Sequence, residues 1–467
     1  MARRTNRRDF LKQSTAAGLG FWAAGGVSLA ADKEKAAVER LNIVAVGVGG
    51  KGRSDAEQAA RVGNLIAACD IDDNHLDSFA NAKDKNTGEL PFRAVQKFND
   101  FREMLDKLGD KVDAVVVSTP DHTHAPASAM AMRMKKHVYC QKPLTHSVHE
   151  ARVLRELAAK MGVCTQMGNQ GTAENGLRDA VELVQAGIIG KVTEAHIWTN
   201  RPIWPQAPGV TARPTDRPDV PRHVHWDLFL GPAPERPYSP AYHPFKWRGW
   251  WDFGTGALGD MGCHTANMAF MALKLGHPTT IVAGSGDVNP ETYPGWGRVV
   301  YEFPARGDMP AVKVTWYEGK KDGKLVLPSE ELQAKVLKQG EKLPGSGSIL
   351  VGDKGILYSP NDYGAAFRVL PEKDFALVQK PPQKLPRNGR GDSGMKEEWV
   401  KAIKEGKPDI AMSNFGYAGM LTEFILLGNV AIKAGKKLEF DGPNLKITNA
   451  PEANQFLKRE YRQGWKL

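Results

Sequence analysis

The chain has 467 residues, 63 Lys and Arg against 53 Asp and Glu, a formal charge of +10, and 41% hydrophobic and 25% charged residues. That is the composition of a soluble globular protein with room for two or three domains. The basic residues are scattered, which argues against a nucleic-acid module. The four cysteines (Cys69, Cys140, Cys164, Cys263) form no C-x-x-C pair, which argues against a structural zinc site or a disulfide framework.

The chain opens on Asn6-Arg7-Arg8-Asp9-Phe10-Leu11-Lys12, followed by an uncharged Ala/Gly-rich run that ends in Ser28-Leu29-Ala30. A basic region, a short apolar region and small residues at a cleavage point make residues 1–31 a signal peptide rather than part of the fold. The paired arginines before x-Phe-Leu-Lys resemble a twin-arginine (Tat) signal. Export by that machinery implies a periplasmic or otherwise exported protein that folds before transport and holds any cofactor tightly.

A charged linker (33–40) leads to Leu41-Asn42-Ile43-Val44-Ala45-Val46, a buried-type strand, and then to Gly47-Val48-Gly49-Gly50-Lys51-Gly52. A helical pattern follows. This is G-x-G-x-x-G between strand and helix, the context a dinucleotide loop requires. Gly47 makes the turn, Gly49 lets backbone approach a pyrophosphate, and Gly52 lets helix and strand pack closely, with Gly50 completing the loop. A second strand, 65–69, ends at Asp70, placed to take ribose hydroxyls. Asp70, Asp72 and Asp73 would repel a 2′-phosphate, which favours NAD, while Arg53 keeps NADP open.

Residues 98–107 read as a helix and 112–118 as another buried strand, ending in Thr119-Pro120-Asp121-His122-Thr123-His124. A helix (125–136) returns the chain to a strand that closes on Val138-Tyr139-Cys140-Gln141-Lys142-Pro143-Leu144. Pro143 cannot continue a ladder, so Lys142 is left at the carboxyl edge of a parallel sheet, where ligands bind. A helix (146–160) and a strand (163–167) complete the series. The expectation is an α/β Rossmann domain, a doubly wound parallel sheet, over residues 41–167.

The run strand-Thr-Pro-x-x-x-His, helix, strand-x-Lys-Pro-Leu resembles the Gfo/Idh/MocA oxidoreductases. The resemblance implies cofactor contacts from Thr119, Pro120, His124, Gln141 and Lys142 as well as from the glycine loop. Two positions depart from the family pattern: Gln141 stands where many relatives have Glu, and Asp121 where many have Asn.

Residues 168–467 read as an α+β domain for substrate binding and oligomerisation. Asn169 lies in the first turn, followed by a helix (174–186) and a half-buried strand (191–198). Residues 199–251 are Pro-rich and hold Trp204, Trp226, Trp247, Trp250 and Trp251. Aromatic faces stack on the C–H faces of sugars, so Trp204, Trp250 and Trp251, with Asn169, are the substrate-binding candidates.

Next comes Asp260-Met261-Gly262-Cys263-His264 on a helix expected to run to Leu275. A spacing of four puts Asp260 and His264 one turn apart on one face. A carboxylate there can orient an imidazole that abstracts an alcohol proton. The resembling family uses Asp-x-Gly-x-His as the partner of its Lys-Pro lysine, which makes Lys142, Asp260 and His264 the catalytic candidates; Asn267 replaces an Asp common in the family. A zinc site from Asp260, His264 and one of His223, His225 or His243 is the weaker reading, and no metal is expected. Strands at 280–284, 298–303, 312–317, 349–351 and 356–358, with helices at 395–405 and 413–433, suggest an open, mostly antiparallel sheet, which in the family often forms a homo-oligomer face.

Together these features lead us to expect an exported NAD(P)-dependent oxidoreductase acting on a hydroxyl of a sugar, glycoside or cyclitol, with tightly bound cofactor. Two alternatives remain: a redox-neutral epimerase or glycoside-cleaving enzyme, and a nucleotide-loaded sugar-binding protein without catalysis.

Overall fold

The computed structural model describes residues 40–84, 86–203, 205–377 and 379–467. The signal-like segment and Trp204 lie outside them. Six strands build the first sheet: β1 (Asn42–Val46), β2 (Asn64–Cys69), β3 (Gln96–Phe98), β4 (Ala114–Val117), β5 (His137–Cys140) and β6 (Thr165–Met167). They are all parallel, in the order β3-β2-β1-β4-β5-β6. β4 is buried along its whole length. This is what a Val-rich run covered by helices on both faces must be. Order and direction together make a Rossmann sheet, whose carboxyl edge gathers the turns after β1, β2, β4 and β5.

Local signals set the helix ends. Helix Val148–Met161 starts in a capping box, with Ser147 and Glu150 bonded reciprocally, and stops at Gly162 in the left-handed region at φ +64°. The helix expected at 125–136 starts four residues earlier, at Asp121. Its Pro126 lies inside the helix, and the His122 carbonyl that its missing N–H would have served accepts from the Arg459 guanidinium instead. Helix Gly256–Thr265 is followed by a separate helix, Asn267–Ala272, where one continuous helix was expected.

The second sheet has ten strands: β7 (Val192–Thr199), β8 (Thr280–Ser285), β9 (Trp296–Phe303), β10 (Val312–Lys321), β11 (Lys324–Leu325), β12 (Ser346–Gly352), β13 (Ile356–Ser359), β14 (Arg368–Leu370), β15 (Leu438–Asp441) and β16 (Lys446–Ile447). The order is β14-β13-β12-β7-β10-β9-β8-β15-β16, with β11 on β10, and among the described residues the β7–β10 pair alone is parallel. Helix Phe415–Ala434 is long and apolar enough to cross a membrane, yet 83% of its apolar window is buried inside the protein. It packs on helix Val148–Met161, and the paired charges Arg152 and Glu423 join the two (Nη2 to Oε2, 2.8 Å).

Among its described residues the Trp-rich segment builds a core rather than a bare loop. Phe229, Leu230, Tyr242, Trp247, Trp250 and Phe253 form a small core of their own. Trp250 is buried within it and donates its indole N–H to Ala241 C=O at 2.9 Å. Trp251 belongs to the main core, with its ring 3.7 Å from that of Tyr293 and its N–H on Asn289 C=O. Neither face is open to a sugar, which corrects the substrate-binding expectation for both residues. Trp251→Ala is accordingly expected to destabilise the protein by about 3–5 kcal/mol, the usual cost of removing a buried tryptophan. Chemical denaturation would check this, and a change within about 1 kcal/mol would contradict the burial.

Candidate active site

The glycine loop shows why each glycine is needed. Gly47 has φ +85°, and a Cβ there would stand 2.6 Å from Ser118 O. At Gly52 a Cβ would stand 2.2 Å from Gly47 O, where helix Lys51–Val62 leaves the loop. Gly50 (φ +50°) faces open space. A Cβ at Gly49 would meet the His75 ring at 2.5 Å. Asp70 lies across this loop. Its Oδ2 accepts from Val48 N (2.8 Å) and Gly49 N (3.1 Å), and its Oδ1 accepts from Asp72 N (3.0 Å) and faces His75 Nδ1 (3.3 Å). A side-chain-free cradle at a helix amino terminus, with a carboxylate at its ribose end, fits a dinucleotide. Arg53 is held by Glu57 and Ser78 at the outer end of this region.

The turns after β4 and β5 are tied together by His124. One ring nitrogen lies 2.7 Å from Pro143 C=O and the other 2.8 Å from Thr119 C=O. Two carbonyl partners call for two N–H donors. Burial opposes that charge, but Cys140 and the carbonyls outweigh it and raise the ring's pKa. His124 is therefore a buried clamp between the two turns, with both ring nitrogens taken, which corrects the expectation that it contacts the cofactor. Pro120 caps the helix that follows. Burial lifts Asp121 to about 7, against the hydroxyl that Thr255 donates to it at 2.7 Å. A carboxyl that is protonated near neutral pH can donate a hydrogen bond, as the asparagine common in the resembling family does.

Lys142 reaches across to helix Gly256–Thr265. Its Nζ donates to Asp260 Oδ1 at 2.6 Å and to Asp260 C=O at 3.1 Å. Burial alone would raise the Asp260 carboxyl, but Lys142 overrides it and holds the group at about 2; Asp260 in turn raises Lys142. The other oxygen, Oδ2, accepts from Gln206 Nε2 at 2.5 Å. Asp260 thus serves Lys142 and Gln206 rather than orienting His264. The imidazole stands one turn on, edge-to-face with Tyr363 (5.1 Å), and its Nδ1 meets no hydrogen-bond partner among the described residues. Burial, aided by Lys142, pushes it down to about 3, so it is neutral at ordinary pH.

Asn169 is wholly buried, with its amide N–H on Cys263 C=O (3.3 Å) and its oxygen accepting from Ser413 (2.6 Å). Both ends are used, so it braces the His264 helix instead of meeting substrate, another correction. His223, His225 and His243 pair with Asp72 and Asp73 at the end of β2, not with Asp260.

Three contributors were invisible to sequence reading. Gln206, wholly buried, comes from the Pro-rich segment, and Tyr363 from the turn after β13; neither lies in a motif. The third, Asp55, explains Gln141. Its buried carboxylate accepts from Gln141 Nε2 (2.8 Å), Ser118 Oγ (3.0 Å) and the buried Lys396 Nζ (2.5 Å). With a carboxylate already there, the neighbour of Lys142 must donate, and an amide does so where Glu could not. The helical spacing Lys51–Asp55 was the one available signal.

The neutral histidines make stability pH-dependent. Burial first, and Arg459 next, push His122 to about 3, as burial and Lys142 do for His264, against an ordinary 6.5. Between those values these two residues bind more protons in the unfolded chain, so their contribution to stability is full above about pH 6.5 and is lost as pH drops towards 3. Asp260 adds a further loss from 3.8 down to about 2. Asp121 and Glu318, which burial raises to about 7, act in the opposite sense as pH falls from 7, so the histidine contribution is read as a difference. Relative to the parent, His264→Asn should lose less melting temperature between pH 6.5 and 3, and an unaltered slope would contradict a neutral His264.

Comparisons with known proteins agree with this geometry. Residues 41–169 match the model described as oxidoreductase family, NAD-binding Rossmann fold. Residues 178–309 match that of the oxidoreductase family's C-terminal alpha/beta domain, and the two matches cover more than half of the chain. The chain belongs to the Gfo/Idh/MocA oxidoreductase family. Among family relatives, inositol 2-dehydrogenase of Rubrobacter xylanophilus is 32% identical over 27% of this chain and 33% of its own. A glycosyl hydrolase family 109 protein of Solibacter usitatus is 30% identical over 41% of this chain and 44% of its own. The chain thus spans less than half the length of the curated relatives it matches. An inositol dehydrogenase homolog from Azotobacter vinelandii, solved with NADH and myo-inositol, shares the fold (TM-score 0.54, 15% identity, 86% of this chain and 98% of that one). The Gfo/Idh/MocA cofactor domain binds NAD, which fits the loop and Asp70 described above.

Proposed function

We propose that the protein is an exported NAD-dependent oxidoreductase acting on a hydroxyl of a sugar, glycoside or cyclitol, with its cofactor held tightly. The observation that carries this reading is the Lys142–Asp260 ion pair beside a neutral His264, at the sheet edge that also bears the glycine loop. NAD, when bound, supplies acceptance of a hydride from the carbon that bears the reacting hydroxyl. Lys142, kept charged and aligned by Asp260, hydrogen-bonds the hydroxyl oxygen and favours its negative charge. His264, uncharged, takes the proton. Gln206 fixes the second oxygen of Asp260 and so the direction of the ammonium. Holding the hydroxyl between these groups is worth more than any single proton transfer.

Support for export comes from Arg7-Arg8 and the apolar run behind them. The open second sheet supports a homo-oligomer. A redox-neutral cycle, with the hydride returned to the same or a second sugar, is the second reading. Asp121 favours it: a second buried carboxyl that exchanges protons near neutral pH suits elimination and readdition steps better than an amide would.

Mass analysis of nucleotide released on denaturing the purified protein tests the core of the proposal. Stoichiometric NAD is expected. An empty protein that also fails to bind added NAD would overturn it. Sustained net reduction of added NAD by one sugar would sink the redox-neutral reading, and Arg7→Lys with Arg8→Lys should leave the protein in the cytoplasm.

A further inference from the structure

The Trp-rich insert touches the cofactor domain at a telling place. Residues 223–225 run antiparallel to residues 71–73, directly after Asp70. Asp73 N–H donates to His223 C=O (2.9 Å) and His225 N–H to Ile71 C=O (2.8 Å), with Asp72 and Val224 as the bridging pair. Side chains repeat the contact. His223 Nδ1 lies 2.8 Å from Asp72 Oδ1, His225 Nε2 3.3 Å from Asp73 Oδ1, and His243 Nε2 3.7 Å from Asp72 Oδ2. Ile71, the residue after the ribose acid, packs against the insert's own core.

The sheet does not need this contact. β2 already has β1 and β3 as neighbours, and a single bridging pair adds little to a ladder. What the contact does is lay a rigidly backed segment beside the carboxylate that reads the ribose. We propose that residues 221–225 are part of the cofactor site, a strap that closes over the adenosine end of NAD and sets how slowly the nucleotide leaves. This rests on the NAD reading of the first domain. The links are few, and the His223 and His225 side chains are 39% and 40% exposed. Such a contact opens locally, without unfolding the protein. Retention is a matter of dissociation rate, and a strap acts there rather than on encounter.

The test loads the intact chain with NADH, removes free nucleotide, chases with excess NAD and follows the loss of tryptophan-sensitised NADH emission. The double variant His223→Ala/His225→Ala is expected to release NADH at least about tenfold faster than the parent, with the melting temperature of the nucleotide-free protein unchanged. Rates within about twofold of the parent would overturn the strap. A second variant, Asp72→Cys/Val224→Cys, exploits the bridge. The flanking bonds make it a non-hydrogen-bonded pair, with Cα atoms about 4.5 Å apart, within disulfide range. Oxidation should slow release about tenfold relative to the same protein reduced, and equal rates in the two states would also overturn the proposal. A parent chain that holds no NADH would bring down the NAD reading itself; a parent and variants that retain it equally would bring down the strap alone.

Discussion

Replacing Lys142 by methionine is expected to lower turnover of any accepted sugar by about a thousandfold or more, the usual cost of losing a positioned charged donor. The variant should still retain NAD, because Asp70 and the glycine loop are untouched. A second consequence follows from the pairing. Asp260 would lose the charge 2.6 Å away and keep Gln206 and the more distant charge of Arg248. With burial no longer opposed by Lys142, its carboxyl should rise from about 2. Removing one partner of a largely buried pair costs about 3–5 kcal/mol when burial is complete, and less here because Lys142 is 19% exposed. The double variant Lys142→Met/Asp260→Asn should regain part of that stability but none of the turnover. NADH formation on the enzyme and thermal melting would separate the two effects. Unchanged turnover in Lys142→Met would favour a binding protein that uses the nucleotide only as scaffold.

The second large effect is at the loop. Gly52→Ala would drive a methyl to 2.2 Å from Gly47 O, a backbone atom that cannot move aside without carrying the turn with it. NAD binding should be lost, and stability should fall by about 2–4 kcal/mol from overpacking against backbone. Gly50→Ala is the control. It also has positive φ, but no protein atom lies near its added methyl, so it should lose only about 1–2 kcal/mol of stability. If Gly52→Ala bound NADH as the parent does, the close helix–strand approach would not be what the nucleotide requires.

Much of the first domain was legible because its signals are local. Strands such as Ala114–Val117 are continuous apolar runs, the glycine loop sits between strand and helix, and Lys142 precedes a proline that ends its strand. β3 escaped notice because Gln96-Lys97-Phe98 is short, polar and at the sheet edge, where one neighbour suffices. The tryptophans misled for a related reason. Composition says that rings are present; only packing says whether a ring faces sugar or core, and Trp250 and Trp251 face cores.

The sequence by itself determined the parallel cofactor domain, the glycine cradle and the acid after β2, because each rests on turn geometry or residue spacing within a few positions. The grouping of Lys142 with Asp260, 118 residues on, and with His264 came from the family resemblance and not from spacing. Tertiary structure alone decided who pairs with whom. Asp260 belongs to Lys142 rather than to the histidine one turn away, Asp55 and Lys396 meet from 341 residues apart, and Gln206 enters from a segment with no motif. The physical reason is that a buried charge takes whichever opposite charge or donor the packing brings within hydrogen-bond distance, and chain separation has no part in that choice.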